Sequence, residues 1–317
     1  MLLAIRVWAG CGSGSERGVP GDAGAPSRDV NGTEPLDGGI PSVTDAAADV
    51  GARDAAPDAT PADDASPGDG GRDFSTDRSL FFGPSRCADA GVQLCEDFEN
   101  GMLDTSVWTP QGTAPVIDGM EHARGARALH ITLAKNGLSA ISERKTFPEP
   151  NDTYFGRMFV YFKSLPTPPG MTYAHWTIVA ASGTQVPGEI RVSGQLQQGK
   201  NLFGVGTDNQ TDAGTGDWTN SDRDPMGMPR AVPTGEWICL EWMHKGDTSD
   251  TQFWWDDTIH PSLTTSRAVH GGNLNPYLLP QFTSVWFGWQ EYQTSTEPFE
   301  LWIDEIAIDT RRIGCVL

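Results

Sequence analysis

An all-β sandwich is the fold this sequence predicts, and three observations predict it. Short segments of alternating or continuous apolar character recur about every ten to twenty residues through the second half of the chain, separated by Gly, Pro, Asn and Asp. No stretch combines a helical apolar period with caps. Aromatic residues are absent between Cys11 and Phe74, whereas ten of the eleven Trp lie from Trp108 onward. Many short strands in one aromatic-rich region point to two antiparallel sheets packed face to face, with one curved face left as a groove.

In chain order, the first element is "MLLAIRVWAGC" (residues 1–11), a short apolar run ending in Ala-Gly-Cys that resembles the end of a bacterial lipoprotein signal. Arg6 and Trp8 depart from that pattern, and the run is far too short to span a membrane. Lipidation of Cys11 is the membrane link it implies. Residues 12–85 are rich in Ala, Asp, Gly, Pro and Ser, and residues 12–80 carry 14 acids against 5 bases. Such a segment buries too little apolar surface to offset its chain entropy, so it reads as a disordered, self-repelling spacer. The folded domain is expected over 86–317.

Four cysteines fall in that domain: Cys87, Cys95, Cys239 and Cys315. An even number suits two disulfides in an exported protein, and three pairings are open. Cys87 with Cys95 would close a short loop, and Cys239 with Cys315 would pin the C-terminus to a sheet. Zinc is the poorer reading, because no CxxC spacing is present.

The strand segments are "ALHITL", "SAISERKTF", "TYFGRMFVYFKS", "YAHWTIVAAS", "EIRVSGQLQ", "EWICLEWMH", "TQFWWDD", "TSVWFGW" and "FELWIDEIAI". Side chains alternate along a strand. Ile190 and Val192 therefore oppose Glu189, Arg191, Ser193 and Gln195, and Ala174, Trp176 and Ile178 oppose Tyr173, His175 and Thr177. Several strands thus pair an apolar side with a side carrying His, Arg, Gln or Glu, which hints at a groove rather than a plain wet face. In "FWWDD" the two indoles point to opposite faces, so at least one of Trp254 and Trp255 is core.

The 317-residue chain carries a net charge of −20. That excludes nucleic acid as a partner, since phosphate binding needs clustered Lys and Arg. An anionic polymer would bind only where a few cations are concentrated. Phosphate loops, HExxH and GxSxG are also absent.

The ordered series "CEDFENG", "HARGARALHI", "EIRVSGQLQ", "PTGEWICLEW", "VWFGWQEY" and "LWIDEIAIDTRRIGC" resembles the core-domain family of a cellulose-induced secreted protein of cellulolytic fungi, over roughly residues 95–317. The resemblance implies a concanavalin-like, polysaccharide lyase-like β-jelly roll. It also implies a structural Ca2+ at Glu99, the backbone around Arg124, and Asp304, since calcium takes hard oxygen ligands. Arg127 stands where a ligating oxygen is expected, and a guanidinium there would replace the ion by pairing with Glu99 and Asp304.

The resemblance further implies a groove site acting on a uronate polymer of the glucuronan type. Arg191, Gln195, His175 and Tyr292 are its catalytic candidates, with Glu241, Trp289 and Arg157 as substrate contacts. Removing the C5 proton of a uronate makes an enolate-like carboxylate, which Arg191 and Gln195 would neutralise. His175 and Tyr292 would share the roles of base and acid. The competing reading of Arg191 is a sheet-surface ion pair with Glu189 or Glu241. The whole is expected to be a secreted or surface-tethered, monomeric carbohydrate-active protein. It is either a lyase or a non-catalytic carbohydrate-binding jelly roll.

Overall fold

The computed structural model describes residues 72–134, 137–167, 173–186, 188–208, 218–271, 277–292 and 299–317. The strands in chain order are β1 Leu94–Glu96, β2 Trp108–Gly112, β3 Val116–Asp118, β4 Ala128–Leu133, β5 Leu138–Glu143, β6 Thr153–Phe162, β7 Tyr173–Thr184 and β8 Glu189–Gln197. They continue as β9 Lys200–Asp208, β10 Trp218–Ser221, β11 Trp237–Lys245, β12 Asp250–Trp255, β13 Thr258–Ile259, β14 Gln281–Glu291 and β15 Phe299–Asp309. Every apolar segment marked in the sequence contributes a strand, although "SAISERKTF" and "TQFWWDD" run past the ends of β5 and β12. β9 and β10, which the sequence reading passed over, complete the sheet on the far side of β8.

All the pairings between named strands are antiparallel and build two sheets. One runs β13-β12-β11-β6-β15-β4-β3, with β1 also on β15. The other runs β10-β9-β8-β7-β14-β5-β2. Neighbours that are distant in sequence, such as β6 beside β15 and β7 beside β14, give the crossed connectivity of a jelly roll.

The core lies where the inner faces meet. Trp176, Ile190, Val192, Phe203 and Trp289 from the seven-stranded sheet face Phe162, Leu240, Trp242, Phe253 and Leu301 from the eight-stranded one. Trp289 lies between Trp176 (ring centroids 5.1 Å apart) and Phe299 (3.7 Å), both stacked. These large rings sit close to the backbone only because glycines face them. A Cβ on Gly194 would stand 2.1 Å from the Trp176 ring, and one on Gly156 would stand 2.3 Å from Trp242.

Both ends of the described chain are tied down. Residues 72–85, expected in the spacer, instead pack on the eight-stranded sheet. Phe81 is fully buried with Phe159 and Trp302, Gly83 bridges Arg124, and Arg72 pairs with Asp309. Three phenylalanines, Phe74, Phe81 and Phe82, supply in this short stretch the apolar area that the rest of the spacer lacks. The expected lipid attachment at Cys11 and the spacer up to residue 71 lie outside the described residues.

The cysteines form Cys87–Cys95 and Cys239–Cys315 bridges. The second sits beside Glu241, whose carboxylate accepts the amides of Ile313 and Gly314 and the Arg312 guanidinium. A bridge, an ion pair and two charge-assisted hydrogen bonds therefore fix one short C-terminal stretch.

Candidate functional site

The outer face of the seven-stranded sheet gathers the polar side chains that strand alternation selected. Pairing of β7 with β8 sets His175 opposite Gln195 and Thr177 opposite Ser193. The β8–β9 hairpin sets Glu189 opposite Asp208, Arg191 opposite Gly206, and Ser193 opposite Gly204. β14 brings Tyr292, just past its end, to His175, whose carbonyl accepts the Tyr292 amide at 3.4 Å.

Four of the expected residues meet here. Arg191 donates from Nε to Glu189 Oε1 at 2.6 Å and from Nη2 to Asp208 Oδ2 at 2.8 Å. Its guanidinium lies 5.0 Å from the centroid of the Tyr292 ring, within cation–π range. The other neighbour of that ring is His175, stacked at 4.8 Å and 25°. The Tyr292 hydroxyl lies 3.2 Å from Thr177 Oγ1 and donates to Gln290 Oε1 at 3.1 Å. Gln195 donates to Ser221 on β10. Ser193 is fully buried, and its Oγ has no partner among the described residues.

The electrostatics follow from this packing. Burial opposes the Arg191 charge, but the surrounding Tyr292, Glu189 and Asp208 outweigh it and raise its pKa above the ordinary value. Burial also raises the Tyr292 phenol, against a smaller downward pull from Arg191. At neutral pH the pair is therefore a guanidinium cation over a protonated phenol. One cation between two carboxylates leaves the cluster anionic.

The remaining expected contacts are elsewhere. Trp289 is fully buried in the core stack, because it lies an odd number of residues from Tyr292 and so faces the opposite side. Arg157 on β6 and Glu241 on β11 are register partners in the eight-stranded sheet, and both are fully buried. Arg157 donates to the Leu317 carbonyl and pairs with Glu305 at 3.4 Å, while Glu241 holds Arg312. These three build the core and the C-terminal clasp and do not reach the face that carries Arg191. Of the two ion-pair partners considered for Arg191, Glu189 is the one it has. Asp208 escaped the sequence reading, although the hairpin turn at Gly199 would have placed it beside Glu189 by counting register.

The residues named for calcium clasp one loop from two sides. Glu99 Oε1 accepts the amides of Ala126 and Arg127 at 2.7 and 2.9 Å. Asp304 Oδ2 accepts those of Ala123 and Arg124 at 2.8 and 2.9 Å, and its Oδ1 that of Glu305 at 2.8 Å. The Arg124 side chain turns away to Glu305, Phe81, Cys315 and Leu317. Arg127 is exposed and meets Glu99 through its amide rather than its guanidinium. Burial raises Asp304 to about 7, despite its amide hydrogen bonds. Three of the four carboxylate oxygens accept N–H donors, whereas a bound calcium would need such oxygens among its six to eight ligands. The set fits a hydrogen-bonded staple better than a cation cage. Among the described residues no group of three or more His, Cys, Asp or Glu gathers around a common point.

A family model described as polysaccharide-lyase-like, Cip1-like core domain matches residues 97–311. The chain belongs to this family. Among solved structures the chain is similar to the cellulose-induced protein Cip1, with 20% identity and a TM-score of 0.50, covering 70% of this chain and all of that one. That likeness shows the fold alone. Looser likenesses are the alginate lyase AlyC3 (11% identity, TM-score 0.41, 57% of this chain and 74% of that one) and the binding domain of botulinum neurotoxin serotype G (11%, 0.43, 71% and 49%). Neither carries an argument. A search of curated proteins finds no match.

Proposed function

We propose that this protein is an extracellular carbohydrate-active enzyme that cleaves a uronate-containing glycan of the glucuronan type by β-elimination, on the outer face of the seven-stranded sheet. The observation that carries the proposal is the Arg191–Tyr292–His175 stack. It places a fixed cation, a protonated phenol and an imidazole side by side on one face. Membership of a polysaccharide-lyase-like family supports the substrate class.

In this reading Glu189 and Asp208 hold the guanidinium fork in place, and the substrate carboxylate approaches its open side, aided by Gln195. Fixed donors aimed at developing charge lower the barrier without reorganising during the reaction. His175 removes the C5 proton, and the electron pair left on C5 forms the C4=C5 double bond. The C4–O bond breaks, and the leaving oxygen takes the phenolic proton of Tyr292. The raised Tyr292 pKa suits it to the acid role, which leaves the base role to His175. The two disulfides fit an oxidising compartment, consistent with a secreted or surface-tethered domain.

The test is incubation with glucuronan and a panel of other uronate polymers, following the ultraviolet absorbance of the unsaturated product. A rising signal that Arg191→Ala abolishes supports the proposal. Binding with no absorbance gain on any polymer overturns it. A second reading, a non-catalytic module for a neutral glycan, is favoured by one observation: Arg191 already faces two carboxylates. Preferential binding of neutral glycans would establish it.

A further inference from the structure

At the β12–β13 edge of the eight-stranded sheet lies an open, surface-facing cavity of about 240 Å3 lined by Arg230, Trp255, Asp256, Thr258 and His260. It shares no residue with the Arg191 cluster. Its walls are held by a buried network. Asp222, fully buried, accepts from Ser262 Oγ at 2.9 Å and lies 3.0 Å from His260 Nδ1. The Trp255 ring stacks against His260 at 5.6 Å and 26°, and it meets the Phe203 ring near a right angle with centroids 5.5 Å apart.

Trp255 is only partly buried, unlike its neighbour Trp254, so it is the half of "FWWDD" that offers an aromatic surface. Asp256 contributes little free charge, because Arg78 and the Cys239 amide occupy its two oxygens. Arg230 is only loosely paired, unlike Arg191 and Arg312. Its nearest carboxylate oxygen, on Asp222, is 3.8 Å from Nε, its Nη1 lies against the His260 ring, and about a third of the side chain is exposed.

We propose that this cavity is a second binding site, which takes one acidic sugar residue of a uronate glycan. A pyranose laid on Trp255 presents its C–H face to the indole, its carboxylate to the Arg230 fork, and a hydroxyl to Thr258. The volume lies below the roughly 300–1,000 Å3 usual for drug-sized ligands, which suits a single sugar. The site is wired to the outer face of the seven-stranded sheet. Ser262 Oγ accepts the Arg223 amide at 3.0 Å, and Arg223 Nη2 donates to Gln197 on β8 at 3.3 Å.

The experiment is calorimetric titration of the full chain with a glucuronate tetramer. It uses the wild type, Arg191→Ala, and Arg191→Ala combined with Arg230→Gln or with Thr258→Trp. Thr258 is exposed at the cavity mouth, so its replacement blocks entry without touching the core, and matching melting curves confirm the fold. Arg191→Ala should retain a residual binding event, and each added substitution should weaken it at least tenfold. No residual binding in Arg191→Ala, or residual binding indifferent to both additions, overturns the proposal. So does equal affinity for a neutral glucose tetramer. The readout is heat of binding, so failure of the elimination reading leaves this test standing.

Discussion

The Arg191 guanidinium and the Tyr292 ring form a cation–π pair 5.0 Å apart, joining the middle of one strand to the residue just beyond the end of another. Each partner has a second anchor: Glu189 and Asp208 hold the cation, while His175 and Thr177 hold the ring. Neither side chain moves without disturbing the other, so the sheet residues Arg191, His175 and Thr177 fix the ring of Tyr292 just past the strand end.

Arg191→Lys keeps the charge and loses the planar fork. In the proposed reaction it should lower turnover about 100-fold to 1,000-fold, the usual loss when one preorganised donor is removed. The melting temperature should fall by only a few degrees. Initial rates on glucuronan with parallel melts measure both, and wild-type turnover would assign Arg191 to the sheet alone.

Glu291 predicts the pH dependence of stability. It is buried opposite Trp176, its Oε1 has no partner among the described residues, and burial raises its pKa to about 7. A carboxyl raised in the fold holds a proton that the unfolded chain releases near its ordinary value. Its stabilisation is therefore complete below about pH 4.5 and is lost as pH rises through 7. Glu291→Gln should leave the pH 4 melt nearly unchanged and raise the pH 8 melt by roughly 2–6 °C. Asp304, raised to about 7 by burial, shares the direction, so a smaller slope should persist in the variant.

The two bridges should differ in worth. Cys239–Cys315 spans 76 residues and Cys87–Cys95 spans 8. Loop-closure entropy gives about 4.5 kcal/mol for the first and about 2.5 kcal/mol for the second. Denaturant titration of Cys239→Ser/Cys315→Ser against Cys87→Ser/Cys95→Ser should show the larger loss in the first pair.

A chelator addresses the clasp at residues 123–127. If amides alone satisfy Glu99 and Asp304, then EDTA followed by excess calcium should leave the melting temperature within about 1 °C. A drop with EDTA that calcium restores would return the site to the metal.

Much of this was legible in the sequence, and the limits have physical causes. Alternation placed Arg191 and Gln195 on one face of β8 because a strand has only two sides, and the family resemblance added His175 from the strand before it. The same parity, applied across "WQEY", separates Trp289 from Tyr292. Glu241 and Arg157 were misplaced for a different reason: alternation gives a side chain's face but not which sheet its strand joins. Pairing of β6 with both β11 and β15 depends on contacts more than 70 residues apart. Residues 72–85 looked like spacer because composition averages over Phe81 and Phe82, whose docking a local window does not capture.

The two acids that brace Arg191 also govern how a charged polymer arrives. A polyuronate approaching a chain of net charge −20 meets repulsion at long range and finds its cation only at contact, already flanked by Glu189 and Asp208. Added salt shortens the reach of that repulsion more than it weakens the contact, because the contact is partly buried. Association of an anionic glycan should therefore quicken as ionic strength rises, the opposite of the behaviour of a basic protein on a polyanion.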